Sequence, residues 1–313
     1  MTYQYKTLPS SVGTLDQLED SASGVRITVN RIGAEVISLA LRDNAGEWHG
    51  FLWRDGHVEA PAEGWGNHAT VMGFYTHRLW EQKSVYDGHP MDGGATPHGF
   101  LRHHSFADPV VDISSGSMTY RLDPDQIPAG SYPYKVATAI TYTLVGGALR
   151  MTFCFENKEI HPVALSFGWH PGFAVGSVES ACLLLPAGTY RQQIADNNFL
   201  TGGVDELVFA GGEMPYPKKT LVDSYLIDLS GVQDKRFTLV DSTIGHRLEC
   251  DYSEAPFMTI WSNGDPFLCV EPCWGLPDSN PPAPFEKKKG IQWIAAGETM
   301  SASASVKPSL LKS

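Results

Sequence analysis

The stretch ATAITYTLVGGALRMTFCFE, residues 137–156, reads as two strands joined back to back. Ala137–Leu144 and Leu149–Glu156 are rich in β-branched and aromatic residues, and Val145-Gly146-Gly147-Ala148 stands between them. Gly-Gly supplies the positive φ angles that a tight hairpin requires. Two strands joined this way, with no helix between them, form an antiparallel ladder. Outward from this hairpin the same kind of run recurs: Val25–Asn30, Glu35–Leu41, Ser117–Leu122, Thr220–Asp228, Arg236–Val240, Arg247–Asp251 and Phe257–Trp261. Each is bounded by Gly, Pro, Asn, Asp or Ser, and no long helical periodicity intervenes. The pattern predicts an all-β chain of antiparallel sheets. Three stretches do not fit it: Glu59–Gly73, Tyr86–His104 and the proline-rich Pro272–Lys289. They are read as long irregular loops, the places where a rigid scaffold carries function.

Composition narrows the function classes. Apolar residues make up 42% of the 313 and charged residues 19%, which suits a packed core and not a disordered or coiled-coil chain. The net charge is −12, and Lys287–Lys289 is too short a basic run to track a phosphate backbone. Nucleic acid is therefore excluded as a partner. The five cysteines form no CxxC pair and read as free thiols in a reducing compartment. The N-terminal MTYQYKTLPSSVGTLDQLED lacks a basic region followed by an apolar stretch, and no window offers the ~18 apolar residues of a membrane span. The expectation is a cytoplasmic protein with no membrane partner.

Three motifs combine an ionisable residue with Gly, Pro and an aromatic ring: Thr96-Pro97-His98-Gly99-Phe100-Leu101-Arg102, Phe167-Gly168-Trp169-His170-Pro171-Gly172-Phe173, and Glu271-Pro272-Cys273-Trp274-Gly275-Leu276-Pro277-Asp278. The mixture suits a sugar. An aromatic face covers the C–H patch of a pyranose, charged and amide groups bind its hydroxyls, and Gly and Pro fix the loops.

In this order the motifs resemble those of the galactose mutarotase-like superfamily, in its bacterial aldose 1-epimerase-like branch. Arg31–Leu39, Ser131–Tyr134 and Gly290–Glu298 resemble its framing segments, so the likeness spans about residues 25–305 of a chain read as one domain, 1–313. The resemblance implies a large antiparallel β-sandwich with a concave sugar cleft and a chemistry that needs no metal or organic cofactor. It maps the family's acid to His170 and its base to Glu271. It maps sugar-binding positions to His98, Arg78 and Asp223. Leu101, Gly172 and Cys273 depart from the usual pattern, and Trp274, next to Cys273, is taken as the cleft aromatic.

The chemistry so implied is anomer exchange. A base removes the proton of the C1 hydroxyl while an acid protonates the ring oxygen; the open-chain aldehyde turns about C1–C2 and recloses. The expected competent state has Glu271 ionised and His170 protonated, with Asp223 helping to hold that charge. The expected partner is a small-molecule sugar, and the chain a monomer or homodimer. A neutral hexose is the first reading. A 6-phosphate or 6-sulfonate is the alternative, because Arg102, His103 and His104 form the densest cationic group beside a motif; otherwise Arg102 braces the His98 loop through backbone carbonyls. Three rival functions need features that the motifs lack or do not explain. A binding module without turnover has no need of an acid–base pair. A metal hydrolase on His98, His103 and His104 lacks the usual tight ligand pair. A two-carboxylate glycosidase lacks an acidic partner for Glu271.

Overall fold

The computed structural model describes residues 2–11, 13–54, 66–94, 96–214, 216, 221 and 224–311. The hairpin forms as its sequence predicts. Val136–Val145 pairs with Ala148–Asn157, each reaching one residue beyond its expected limits. Val145 faces Ala148, and Gly146 and Gly147 close the turn at φ +60° and +76°. Both angles are positive, as a two-residue turn matched to strand twist demands. Along the second strand, burial alternates, and Leu149, Met151, Phe153 and Phe155 point inward.

This hairpin lies within a nine-stranded antiparallel sheet, flanked by Ser117–Leu122 and Thr299–Leu310. An eight-stranded sheet packs on it. Its strands run in the order Phe199–Phe209, Gly188–Asp196, Tyr225–Gly231, Phe257–Trp261, Phe267–Trp274 and Val163–Ala174, and the last also pairs with Ala69–Phe74 and Gln292–Ile294. The join is aromatic. Phe153 and Phe155 of the first sheet meet Phe167 of the second at ring-centroid distances of 4.9 and 4.7 Å, and Trp274 stacks on Phe167 at 4.9 Å. Truncating any of these buried rings to alanine costs about 3–5 kcal/mol. A five-stranded antiparallel meander covers residues 3–50. Among the described residues helix is limited to three-residue 3₁₀ turns, and no helix is long and apolar enough to cross a membrane.

The fold is thus the all-β antiparallel sandwich expected. All three supposed loops, however, contain strand. His89–Asp92 lies within Tyr86–His104 and pairs with Lys83–Tyr86, Ala69–Phe74 begins within Glu59–Gly73, and Phe267–Trp274 runs into Pro272–Lys289. Ala69–Phe74 and Phe267–Trp274 are buried along their whole length, so neither shows the alternation that marks a half-exposed strand. Residues 55–65 lie outside the described residues. The strand expected over Thr220–Asp228 is observed as Tyr225–Gly231; residues 217–220, 222 and 223 lie outside the described residues.

Candidate active site

The eight-stranded sheet brings the second and third motifs together by register. On Val163–Ala174 and Phe267–Trp274, Gly168 pairs with Cys273 and Gly172 with Cys269. That register sets His170 opposite Glu271. Thr70 faces His170 from the other side and Thr259 faces Glu271, so the four form one row across the sheet. Directly opposed residues project from the same face, and His170 Nε2 lies 3.3 Å from Glu271 Oε1. Phe167 and Trp274 sit at odd offsets from His170 and Glu271 and therefore face the sandwich interior.

That alternation places Trp274 away from the cleft. Its ring is buried in the core, and its indole N–H donates to the Glu254 carbonyl at 3.0 Å. The aromatic ring lining the cleft is Trp261, opposite Cys269, with its ring 5.6 Å from that of His170. Trp261 is not legible as a site residue from sequence because its role depends on a strand pairing; its one sequence signal is its place at the end of the Phe257–Trp261 run.

The first motif folds over this row. His98 has φ +75°, and its backbone N–H donates to His77 O at 2.8 Å while its carbonyl accepts from Gly73 N–H at 2.9 Å. Gly99 makes the close approach possible: a Cβ there would meet Gly73 O at 2.2 Å. The His77 backbone N–H donates to His98 Nδ1 at 3.0 Å. In the neutral ring the proton then sits on Nε2, leaving His98 a hydrogen-bond donor. Its ring stands perpendicular to that of His170 at 5.0 Å. Arg78 is exposed and also lines the cavity. Its carbonyl accepts from Asp278 N–H at 3.0 Å, and Asp278 Oδ2 accepts from Trp80 N–H at 2.7 Å. Asp278 is itself paired with Lys288, and both side chains are 1% exposed. A buried ion pair thus holds the turn that presents Arg78.

The cavity measures about 390 Å³ and is lined by His77, Arg78, His98, Arg102, His170, Asn198, Trp261 and Glu271, among others. That lies within the range of small-ligand pockets. Arg102 donates from Nη1 to Pro97 O at 3.3 Å, the bracing contact through a loop carbonyl. His103 contacts Thr96 Oγ1 at 2.6 Å and is exposed, and His104 is half-buried; neither lines this cavity. Asp223 lies outside the described residues. The sheet and its loops therefore gather His170, Glu271, His98, Arg78 and Arg102, and set Trp274 apart.

Burial governs the electrostatics. It pushes the Glu271 carboxyl well above the usual carboxylate range. It pushes His170 down to about 3, with His77 and Arg102 adding to the effect. His77 is also lowered to about 3, by burial and then by Lys288, and His98 is held well below its usual value, chiefly by burial. Burial thus disfavours the charged form of each partner, the imidazolium of His170 and the carboxylate of Glu271. A neutral imidazole beside a protonated carboxyl would hold the same single proton as the expected imidazolium–carboxylate, placed on the other partner. The His98–His103–His104 group does not converge. Among the described residues, the side chains whose ligand atoms come together are His170, Cys269 and Glu271, all within 4.8 Å of one another.

The model of the aldose 1-epimerase family matches residues 16–307. No curated protein sequence matches the chain. Among solved structures, the chain is similar to a galactose mutarotase related enzyme from Lactobacillus acidophilus, with TM-score 0.77, 22% identity, and coverage of 99% of this chain and 100% of that one. A galactose mutarotase-like protein from Lactobacillus casei gives TM-score 0.78, 22% identity, and coverage of 98% and 100%. A galactose 1-epimerase from Lactobacillus acidophilus gives TM-score 0.70, 13% identity, and coverage of 99% and 99%. At these identities the structural likeness establishes the fold.

Proposed function

The chain belongs to the aldose 1-epimerase family, and from that footing we propose that it interconverts the α and β anomers of a free hexose, with His170 and Glu271 as the acid–base pair. The observation that carries this reading is the 3.3 Å approach of His170 Nε2 to Glu271 Oε1 within a sugar-sized cavity. The two oxygens that exchange protons, the C1 hydroxyl and the ring oxygen, are bonded to one carbon, so an adjacent acid and base serve both.

The pair enters the reaction with one proton. Sugar hydroxyls replace lost hydration and favour the charged tautomer, in which Glu271 is a carboxylate and His170 an imidazolium. Glu271 then takes the C1 hydroxyl proton, the C1–O5 bond breaks, and His170 protonates O5 to give the open-chain aldehyde. Rotation about C1–C2 presents the other carbonyl face. Reclosure returns a proton to the C1 oxygen from Glu271 and takes the O5 proton back to His170, so the pair ends as it began. His98 Nε2–H and Arg78 are placed to donate to sugar oxygens, and Trp261 offers its ring to the C–H face.

The sugar is a neutral hexose in the first reading. One observation favours an anionic hexose: Arg78 and Arg102 line a cavity in which burial disfavours the Glu271 carboxylate, and Arg78 has no ion-pair partner among the described residues. NMR exchange across neutral aldoses, hexose 6-phosphates and a 6-sulfonated hexose tests both readings. Acceleration over the protein-free rate for any member supports anomer exchange and identifies the class; no acceleration across the panel refutes the function.

A further inference from the structure

We propose that the cavity floor is a site for one thiophilic divalent cation, of the Zn²⁺ or Cd²⁺ class, held by His170, Cys269 and Glu271 in competition with sugar. Cys269 and Glu271 are two apart on one strand and share its face, and His170 stands across from Glu271. All three are buried, and their ligand atoms lie within 4.8 Å of one another. Tetrahedral zinc, with Zn–N and Zn–O of about 2.0–2.2 Å and Zn–S of about 2.3 Å, sets neighbouring ligand atoms about 3.3–3.6 Å apart. His170 Nε2 and Glu271 Oε1 already stand at 3.3 Å. A thiol adjustment of about 1 Å, within a χ1 change, closes the triangle.

The donor set selects the metal. Imidazole, thiolate and carboxylate suit zinc and its softer relatives, whereas magnesium and calcium prefer oxygen alone. Glu271 Oε2 has no hydrogen-bond partner among the described residues, so the carboxylate has acceptor capacity to give. Three protein ligands leave a fourth position towards the cavity. On binding, the Cys269 thiol proton and the proton held by the His170–Glu271 pair both leave to solvent, so affinity rises with pH. The metal occupies the lone pairs that anomer exchange uses. Its inhibitory effect therefore rests on the proposed function, while the site itself rests on geometry. Cys269 takes no part in the proton transfers, which makes it the ligand that can be altered alone.

The test adds Co²⁺ to the full chain. The expected result is binding of one equivalent, with a thiolate-to-metal charge-transfer band that Zn²⁺ displaces. Cys269→Ser is expected to abolish the band, weaken Zn²⁺ binding by at least about tenfold, and keep anomer exchange within about twofold while losing its inhibition by Zn²⁺. No band and no calorimetric Zn²⁺ uptake by the unaltered chain overturns the site, as does unchanged Zn²⁺ affinity in Cys269→Ser. If that variant fails to fold, X-ray absorption of the Zn²⁺-loaded unaltered chain decides. One sulfur among nitrogen and oxygen ligands supports the site, and a shell with none or several overturns it. Band and absorption edge need no turnover, so failure of the anomer-exchange reading and failure of the metal site are told apart.

Discussion

Replacing Asp278 by Asn removes one charge from a pair whose two side chains are each 1% exposed. The shape is kept, and an amide oxygen still accepts from Trp80 N–H. What changes is that the Lys288 ammonium, already lowered in pKa by burial, loses its counter-charge. Breaking such a pair from one side costs about 3–5 kcal/mol. For a chain of this length about 2 °C of Tm accompanies each kcal/mol, so the melting midpoint falls by about 6–10 °C. The double variant Asp278→Asn/Lys288→Met buries no unpaired charge and is expected to recover to within about 2 kcal/mol of the parent. Calorimetry and urea unfolding read the stability, and anomer-exchange kinetics read the site. Because Asp278 also holds the turn carrying Arg78, KM is expected to rise more than kcat falls. An Asp278→Asn chain within about 1 kcal/mol of the parent would refute the claim that this pair is desolvated, and with it the account of how Arg78 is held.

Because the His170–Glu271 pair works with one proton, activity is expected to form a broad plateau in pH. Below, His170 gains a second proton near its lowered value of about 3; above, Glu271 loses the last one well beyond the ordinary carboxylate range. A kcat/KM profile falling between about pH 4.3 and 6.5, the unperturbed values, would contradict the burial argument. Gly99→Ala forces a Cβ into Gly73 O and a residue at φ +75°, so stability drops by about 1–3 kcal/mol, measured by unfolding, and KM rises as the His98 loop lifts. Arg78→Ala lowers kcat/KM at least about tenfold for a hexose 6-phosphate if the substrate is anionic, the worth of one charged hydrogen bond; equal loss with neutral sugars means it binds a shared hydroxyl.

Residues 137–156 announce their hairpin because one face of each strand meets the core and the other meets solvent or side chains of intermediate burial. The strands that carry the chemistry are the least legible. Val163–Ala174 and Phe267–Trp274 lie with one face in the sandwich and the other under the cleft loops, so burial on both sides erases the period of two. Their motif residues were nonetheless readable, since His170, Glu271 and His98 stand beside Gly, Pro and aromatic rings. What sequence does not display is cross-strand register. Without it, the sequence points to Trp274 and not Trp261 as the cleft aromatic, and to Cys269 as no more than a buried thiol. The direction in which the pair's pKa values move is equally hidden, because it follows from burial and not from residue type.

In the proposed reaction one proton shared by His170 and Glu271 drives ring opening. The most direct measurement is NMR anomer exchange, on the aldose turned over fastest, for the parent chain and for Glu271→Gln and His170→Gln, each shown to be folded. Acceleration over the protein-free rate is expected for the parent, with a loss of about 10²–10⁴-fold in each variant. Either variant exchanging anomers at the parent rate would contradict it.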